Sequence, residues 1–144
     1  MTLTIQQTTD LSSDAYKDSL DIRMTVFVKE QQVSIEEEVL DEEPCTHFIV
    51  YQETTPIATA RLFPKTDQRA YVQRVAVLKD YRGQHIGQQL IAHMEMVAKE
   101  MGFSELKLGA QTHALGFYEQ LGYKAFGEEY LDAGIWHYDM LKTI

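Results

Sequence analysis

The sequence predicts an α+β fold, one mixed β-sheet with helices packed against it. Three observations carry that expectation. Strand-like and helix-like runs follow one another in the order β, α, β-β-β, α, β, α, β-β. Hydrophobic residues make up 44% of a 144-residue chain, enough for one buried core and the size of one domain spanning 1–144. No repeat, low-complexity linker or internal boundary divides the chain.

Each element has its own signal. Residues 2–8 alternate weakly and read as an edge strand. Ser12, Ser13 and Asp14 form a helix N-cap with an acid in the first turn. Tyr16, Leu20, Met24 and Phe27 then repeat at helical spacing to about residue 30. The acidic stretch up to Pro44 is a loop or short helix. THFIVY (46–51) is a short strand, ETTP (53–56) a turn, and IATARLF (57–63) an alternating strand. After a turn near 65–68, AYVQRVAVL (70–78) is the most β-prone run in the chain. Leu90, Ile91, Met94, Val97, Ala98 and Met101 then mark one face of a helix that Gly102 ends. SELKLGA (104–110) is a strand, 113–120 a short helix closed by Gly122, and the two runs on either side of Ala133 a final strand pair.

Composition excludes several classes. A net charge of −9 argues against general nucleic-acid binding. No apolar run approaches the roughly 18–20 residues of a membrane span, and MTLTIQQTTD lacks the features of a secretory signal, so the cytoplasm is the expected location. The single cysteine, Cys45, permits no internal disulfide and reads as a free thiol. The five histidines (47, 85, 93, 113, 137) show no zinc-site spacing, and no serine sits in G-x-S-x-G. Charge is segregated. Residues 36–43 hold six acids and no base, whereas 61–82 hold six bases against two acids. Either run is a solvated surface, or the basic one suits an anionic ligand and the acidic one a cationic ligand.

The stretch YRGQHIGQQLIAHM (81–94) joins the β-prone run to the helix. A helix N-terminus carries orphan N–H groups and about half a positive charge. Gly83 and Gly87 let backbone approach an anion without an intruding Cβ. Arg82 adds a permanent cation. The turn reads as a phosphate cradle; an ordinary strand-to-helix connection is the alternative. It matches neither G-x-x-x-x-G-K-[ST] nor G-x-G-x-x-G.

VQRVAVLKDYRGQHIGQQLIAHMEMVAKEMGF resembles the central motif of the GNAT superfamily, the acyl-CoA-dependent N-acetyltransferases. The family loop Q/R-x-x-G-x-G/A is matched at Arg82, Ile86 and Gly87, with Gly83 as in the frequent R-G-x-G-x-G form. His85 replaces the middle glycine. ALGFYEQLGY (114–123) is similar to the family's A-x-x-F-Y-x-x-L-G-F segment. GIWHYDM (134–140) and VFVKEQQV resemble a small bacterial branch called YjcF-like. The resemblance implies a mostly antiparallel sheet whose central strands, 70–78 and 104–110, splay apart. It implies acetyl-CoA as co-substrate, with Arg82, Gly83, Gln84, His85, Ile86, Gly87 and Gln88 at its pyrophosphate. The backbone of Val75, Ala76 and Val77 would bind pantetheine and polarise the thioester carbonyl. Tyr118 would act as general acid toward the departing thiolate, since a phenol of pKa about 10 is protonated at neutral pH.

The acceptor would be a primary amine of a small molecule or protein, with no metal, nucleic acid or membrane involved. A homodimer follows by analogy of fold. The general base stays open among Glu30, Glu36, Glu37, Glu38, Asp41, His47, His113 and His137. Trp136 and Tyr138, on the last strand, are candidates for lining the acceptor pocket, with the core as the alternative for Trp136. The alternatives to an enzyme are a non-catalytic acyl-CoA-binding regulatory module and an interaction protein that uses the acidic face.

Overall fold

A computed structural model of the chain describes residues 3–34 and 42–144. Its elements are β1 (Leu3–Thr8), α1 (Asp14–Arg23), β2 (Thr46–Gln52), β3 (Thr55–Pro64), β4 (Arg69–Val77), α2 (Ile86–Glu100), β5 (Glu105–Gln111), α3 (Leu115–Gln120), β6 (Lys124–Asp132) and β7 (Ile135–Thr143). Helix α1 continues through Met24–Glu30 in wider turns, and single tight turns precede α2 and α3. The strands form one sheet in the order β1-β2-β3-β4-β5-β7-β6. Only β4 and β5 run parallel, so the sheet is mixed and mostly antiparallel. The acidic stretch at residues 35–41, with the base candidates Glu36, Glu37, Glu38 and Asp41, lies outside the described residues.

The predicted caps are present. The Ser13 hydroxyl accepts from the Tyr16 N–H at 3.1 Å, and Gly102 (φ +97°) and Gly122 (φ +98°) end α2 and α3. The buried face of α1 differs from its apolar spacing. Tyr16, Ser19, Ile22, Arg23 and Val26 point inward, while Leu20, Met24 and Phe27 sit at its flanks. Two polar side chains occupy that face because each finds a partner. Ser19 donates to Thr59 Oγ1 at 2.6 Å, and Arg23 reaches Glu42 at 2.9 Å.

Helices cover both faces of the central strands. On β2, Phe48 and Val50 join the core beneath α2, whereas Ile49 and Tyr51 join Ile22 and Val26 of the α1 segment. For the same reason β3 is buried continuously from Ile57 to Leu62 rather than on alternate residues. The α2 stripe packs as its spacing predicts, except that Met101 is exposed at the helix end. At the far edge β6 is exposed along most of its length.

Two irregularities shape the centre of the sheet. Strands β4 and β5 pair only from Arg69/Glu105 to Val72/Leu108, although each runs on, to Val77 and Gln111. On its other side β4 pairs with β3 at Thr59/Ala76 and Arg61/Gln73. Between those pairs β3 advances two residues and β4 three, so β4 carries one extra residue. Arg74 sits in that bulge at φ +56°. The bulge bends β4 away from β5, and the divergence expected from the motif is present.

Candidate active site

The gap between the diverging strands opens into a cleft of about 670 Å³. Val75, Ala76 and Val77 line one wall, and Gly109, Ala110 and Gln111 line the other. Beyond Val72 the β5-facing side of β4 has no strand partner, so its backbone groups require another one. Arg82 Nε takes one of them, donating to the Val77 carbonyl at 2.8 Å. The same guanidinium donates to Glu30 at 2.8 Å, where both side chains are partly exposed. Arg82 therefore braces the loop between β4 and the end of the α1 segment. Glu30 is engaged in that brace and does not line the cleft.

The loop itself has the backbone of an anion cradle. Gly83 lies at φ +80° and His85 at φ +63°, the left-handed region, immediately before α2. His85 fills the N-cap position without a side-chain cap; its Nδ1 meets Gln88 Oε1 at 3.1 Å. The first turn closes with Gln89 N–H on the His85 carbonyl, and the N–H groups ahead of it are the orphan donors of the helix. A Cβ at Gly87 would approach Phe117 Cζ at 3.3 Å, whereas one at Gly83 would meet nothing within 4 Å. The loop surface at Gly83 is open, and Gly87 seats α2 against α3. This arrangement fits a diphosphate.

Tyr118, on α3, is buried and lines the same cleft. Its hydroxyl has no hydrogen-bond partner among the described residues. Burial pushes its pKa up to about 12, so the phenol keeps its proton at neutral pH. Phe117, beside it, is partly exposed and packs edge-on to Tyr118 at 5.0 Å.

The remaining wall comes from β6, β7 and the end of the α1 segment. Gln31 accepts from Gln111 Nε2 at 2.9 Å, tying that segment to the tip of β5. His137 and Asp139 face the cleft, as does Tyr130. Trp136 and Tyr138 do not line it, which corrects the expectation that they line the pocket, and Trp136 does not pack in the core either. Alternation along β7 turns them to the opposite face from His137 and Asp139, and Trp136 is 51% exposed. His47 is fully buried, with Nε2 at 3.3 Å from the Glu42 carbonyl, and does not line the cleft. His113 lines it from an exposed turn. Sequence reasoning missed Tyr130, Asp139 and Lys107. The one available signal was Gly109, a glycine inside a strand, which marks a close approach by another group. A Cβ there would lie 2.5 Å from the Tyr130 hydroxyl.

Residues 8–144 match the acetyltransferase (GNAT) domain. The chain belongs to the GNAT acetyltransferase family. It is an N-acetyltransferase, and acetyl transfer from an acyl-CoA is the family's chemistry. An uncharacterized N-acetyltransferase of Bacillus subtilis, YjcF, is 38% identical over 133 residues, covering 91% of this chain and 94% of its own. The B. subtilis protein YyaT is 39% identical over 134 residues, 88% of each chain. Among solved structures, an acyl-CoA N-acyltransferase of Pseudomonas aeruginosa superposes with a TM-score of 0.85 at 25% identity, covering 99% of both chains. An Elizabethkingia anophelis GNAT acetyltransferase with acetyl-CoA bound shares the fold at a TM-score of 0.76 and 18% identity, over 99% of this chain and 98% of that one. Among the described residues no helix is long and apolar enough to cross a membrane, and no group of acidic, histidine or cysteine side chains could hold a metal.

Proposed function

We propose that this N-acetyltransferase moves the acetyl group of acetyl-CoA to a primary amine of a small molecule or protein. The divergence of β4 and β5, with the glycine-bearing loop at one end and Tyr118 beside it, is the observation that supports this reading. Backbone N–H groups of residues 83–88 would take the diphosphate, braced by Arg82. Val75, Ala76 and Val77 would offer main-chain groups to pantetheine and to the thioester oxygen. The amine nitrogen attacks the thioester carbon, the C–N bond forms and the C–S bond breaks. Tyr118, still protonated because burial holds its pKa at about 12, stands to give its proton to the departing thiolate. The gain is largest while sulfur charge is developing, because a buried phenol is placed to stabilise that charge directly.

The test has two stages. Acetyl-CoA is titrated into isotopically labelled protein, and the amide resonances of residues 82–88 are followed. They are expected to move, together with those of Val75, Ala76 and Val77. CoA release is then measured with a panel of primary amines. Unmoved loop resonances at saturating acetyl-CoA would remove the loop from the binding site. Binding without release from any amine would favour a non-catalytic acyl-CoA-binding module.

A further inference from the structure

We propose that His137 is the general base that takes a proton from the acceptor's ammonium group; the inference rests on the acetyl-transfer reading above. His137 Nδ1 lies 2.7 Å from the Ile135 carbonyl. A carbonyl only accepts, so Nδ1 carries the proton and Nε2 keeps a free lone pair. The ring also stacks on Tyr130, with centroids 5.8 Å apart and planes 18° from parallel. Tyr130 is itself held, because its hydroxyl donates to Asp139 Oδ1 at 2.7 Å and passes over Gly109, where no side chain blocks it. Burial, then the bond to Asp139, raises the Tyr130 pKa, so this phenol stays neutral and is no rival base. Tyr130 is a positioning residue for the imidazole.

Among the described residues, the other candidates lack one of these features. His47 and His93 lie outside the cleft, the latter packed edge-on to Phe48. His85 is engaged with Gln88. His113 reaches the cleft, but no hydrogen bond among the described residues orients its ring. Asp139 is committed to Tyr130 and to Lys107 at 3.5 Å. Asp132 is exposed at the hairpin end. The charged and titratable groups that face the cleft around His137 include Tyr130 and Asp132 from β6, Asp139 from its own strand, Lys107 from β5, Arg74 from the β4 bulge and His113 beyond β5.

The proton balance is complete. The ammonium gives one proton to Nε2, and His137 passes it to solvent. The neutral amine attacks, the C–N bond forms and the C–S bond breaks. The second proton that the nitrogen sheds replaces the one Tyr118 gives to sulfur. The products are the amide, CoA thiol and one proton.

The test uses the full chain, acetyl-CoA and two acceptors of similar shape: benzylamine, an ammonium at neutral pH, and aniline, which is neutral there. His137→Gln is expected to lose about 100-fold or more in kcat/KM with benzylamine. The deficit should shrink as pH rises and free amine accumulates, while the rate with aniline and the affinity for acetyl-CoA stay close to those of the parent. Tyr130→Phe, which keeps the stack and frees the ring from Asp139, should show a milder loss of the same kind. Nitrogen-15 spectra of histidine-labelled parent protein give a readout independent of turnover: Nδ1 protonated, Nε2 bare. Equal losses with both amines, an unchanged benzylamine rate, or a proton on Nε2 would overturn the assignment. If neither amine is turned over, the tautomer decides. Failure of the parent to bind acetyl-CoA would count instead against the acetyl-transfer reading.

Discussion

At the scale of single residues, Tyr118 and His85 make contrasting tests. Tyr118 combines burial, a place in the cleft and a hydroxyl with no described partner. Tyr118→Phe removes one oxygen and leaves the ring packed between Phe117 and Tyr123. Turnover should fall about 10²–10⁴-fold, with acetyl-CoA affinity by calorimetry unchanged; equal turnover would take the phenol out of the reaction. His85 is the opposite case, a residue whose backbone matters more than its side chain. At φ +63° it holds a conformation that costs a non-glycine residue on the order of 1 kcal/mol. Its ring makes one hydrogen bond among the described residues, to Gln88 on the loop surface. His85→Gly should therefore bind acetyl-CoA as tightly as the parent or more tightly. A large loss in the same titration would give the imidazole a direct role at the phosphate.

At the scale of elements, the central device is a pair of strands that part company, and only its outline is legible in the sequence. The β-prone run, the loop and the amphipathic helix announce themselves through local spacing. The bulge at Arg74 does not, because an extra residue in a strand has no composition of its own. Burial on both faces of β3 erases the alternation that reveals a one-sided strand. The wall formed by Tyr130, His137 and Asp139 was equally hidden. It assembles from two strands that meet in register at Tyr130/His137 and from a third that supplies Gly109. Gly109 makes that packing measurable. Gly109→Ala places a Cβ against the Tyr130 hydroxyl and should cost about 1–3 kcal/mol in denaturant unfolding. Removing the hydroxyl leaves the ring carbon 3.8 Å away, an ordinary contact. The double variant with Tyr130→Phe should thus be more stable than Gly109→Ala alone, although Tyr130→Phe by itself loses a hydrogen bond. Purely additive losses would place the strain elsewhere.

Across the whole molecule, the segregated charge has an inner as well as an outer use. Glu42 belongs to an acidic run that reads from sequence as solvated loop or cation-recognition surface, yet it is 7% exposed. It accepts from Tyr16 and pairs with Arg23 of α1 and Arg61 of β3, so one carboxylate clasps the first helix to the sheet. These partners lie far apart in the chain, which is why no local pattern discloses them. Burial alone would raise the Glu42 pKa. The bonds from Arg23 and Tyr16 and the neighbouring positive charge outweigh it and hold the carboxyl at about 2, against 4.5 for a free glutamate. A group whose folded pKa is depressed contributes stability that is present above the unfolded pKa and lost as pH falls through the folded one. Glu42 should therefore contribute on the order of 3 kcal/mol above pH 4.5 that disappears between there and pH 2. His47, whose pKa burial lowers, adds loss of the same sign beginning earlier, as pH drops below the ordinary imidazole value. Denaturant unfolding from pH 7 to pH 2.5 would separate the two. Glu42→Gln should be less stable than the parent by about 3–5 kcal/mol at pH 7. It should also show a shallower decline below pH 4.5, while the decline between pH 6.5 and 5 persists. Parallel curves for parent and variant throughout the acid range would mean that Glu42 is not the clasp.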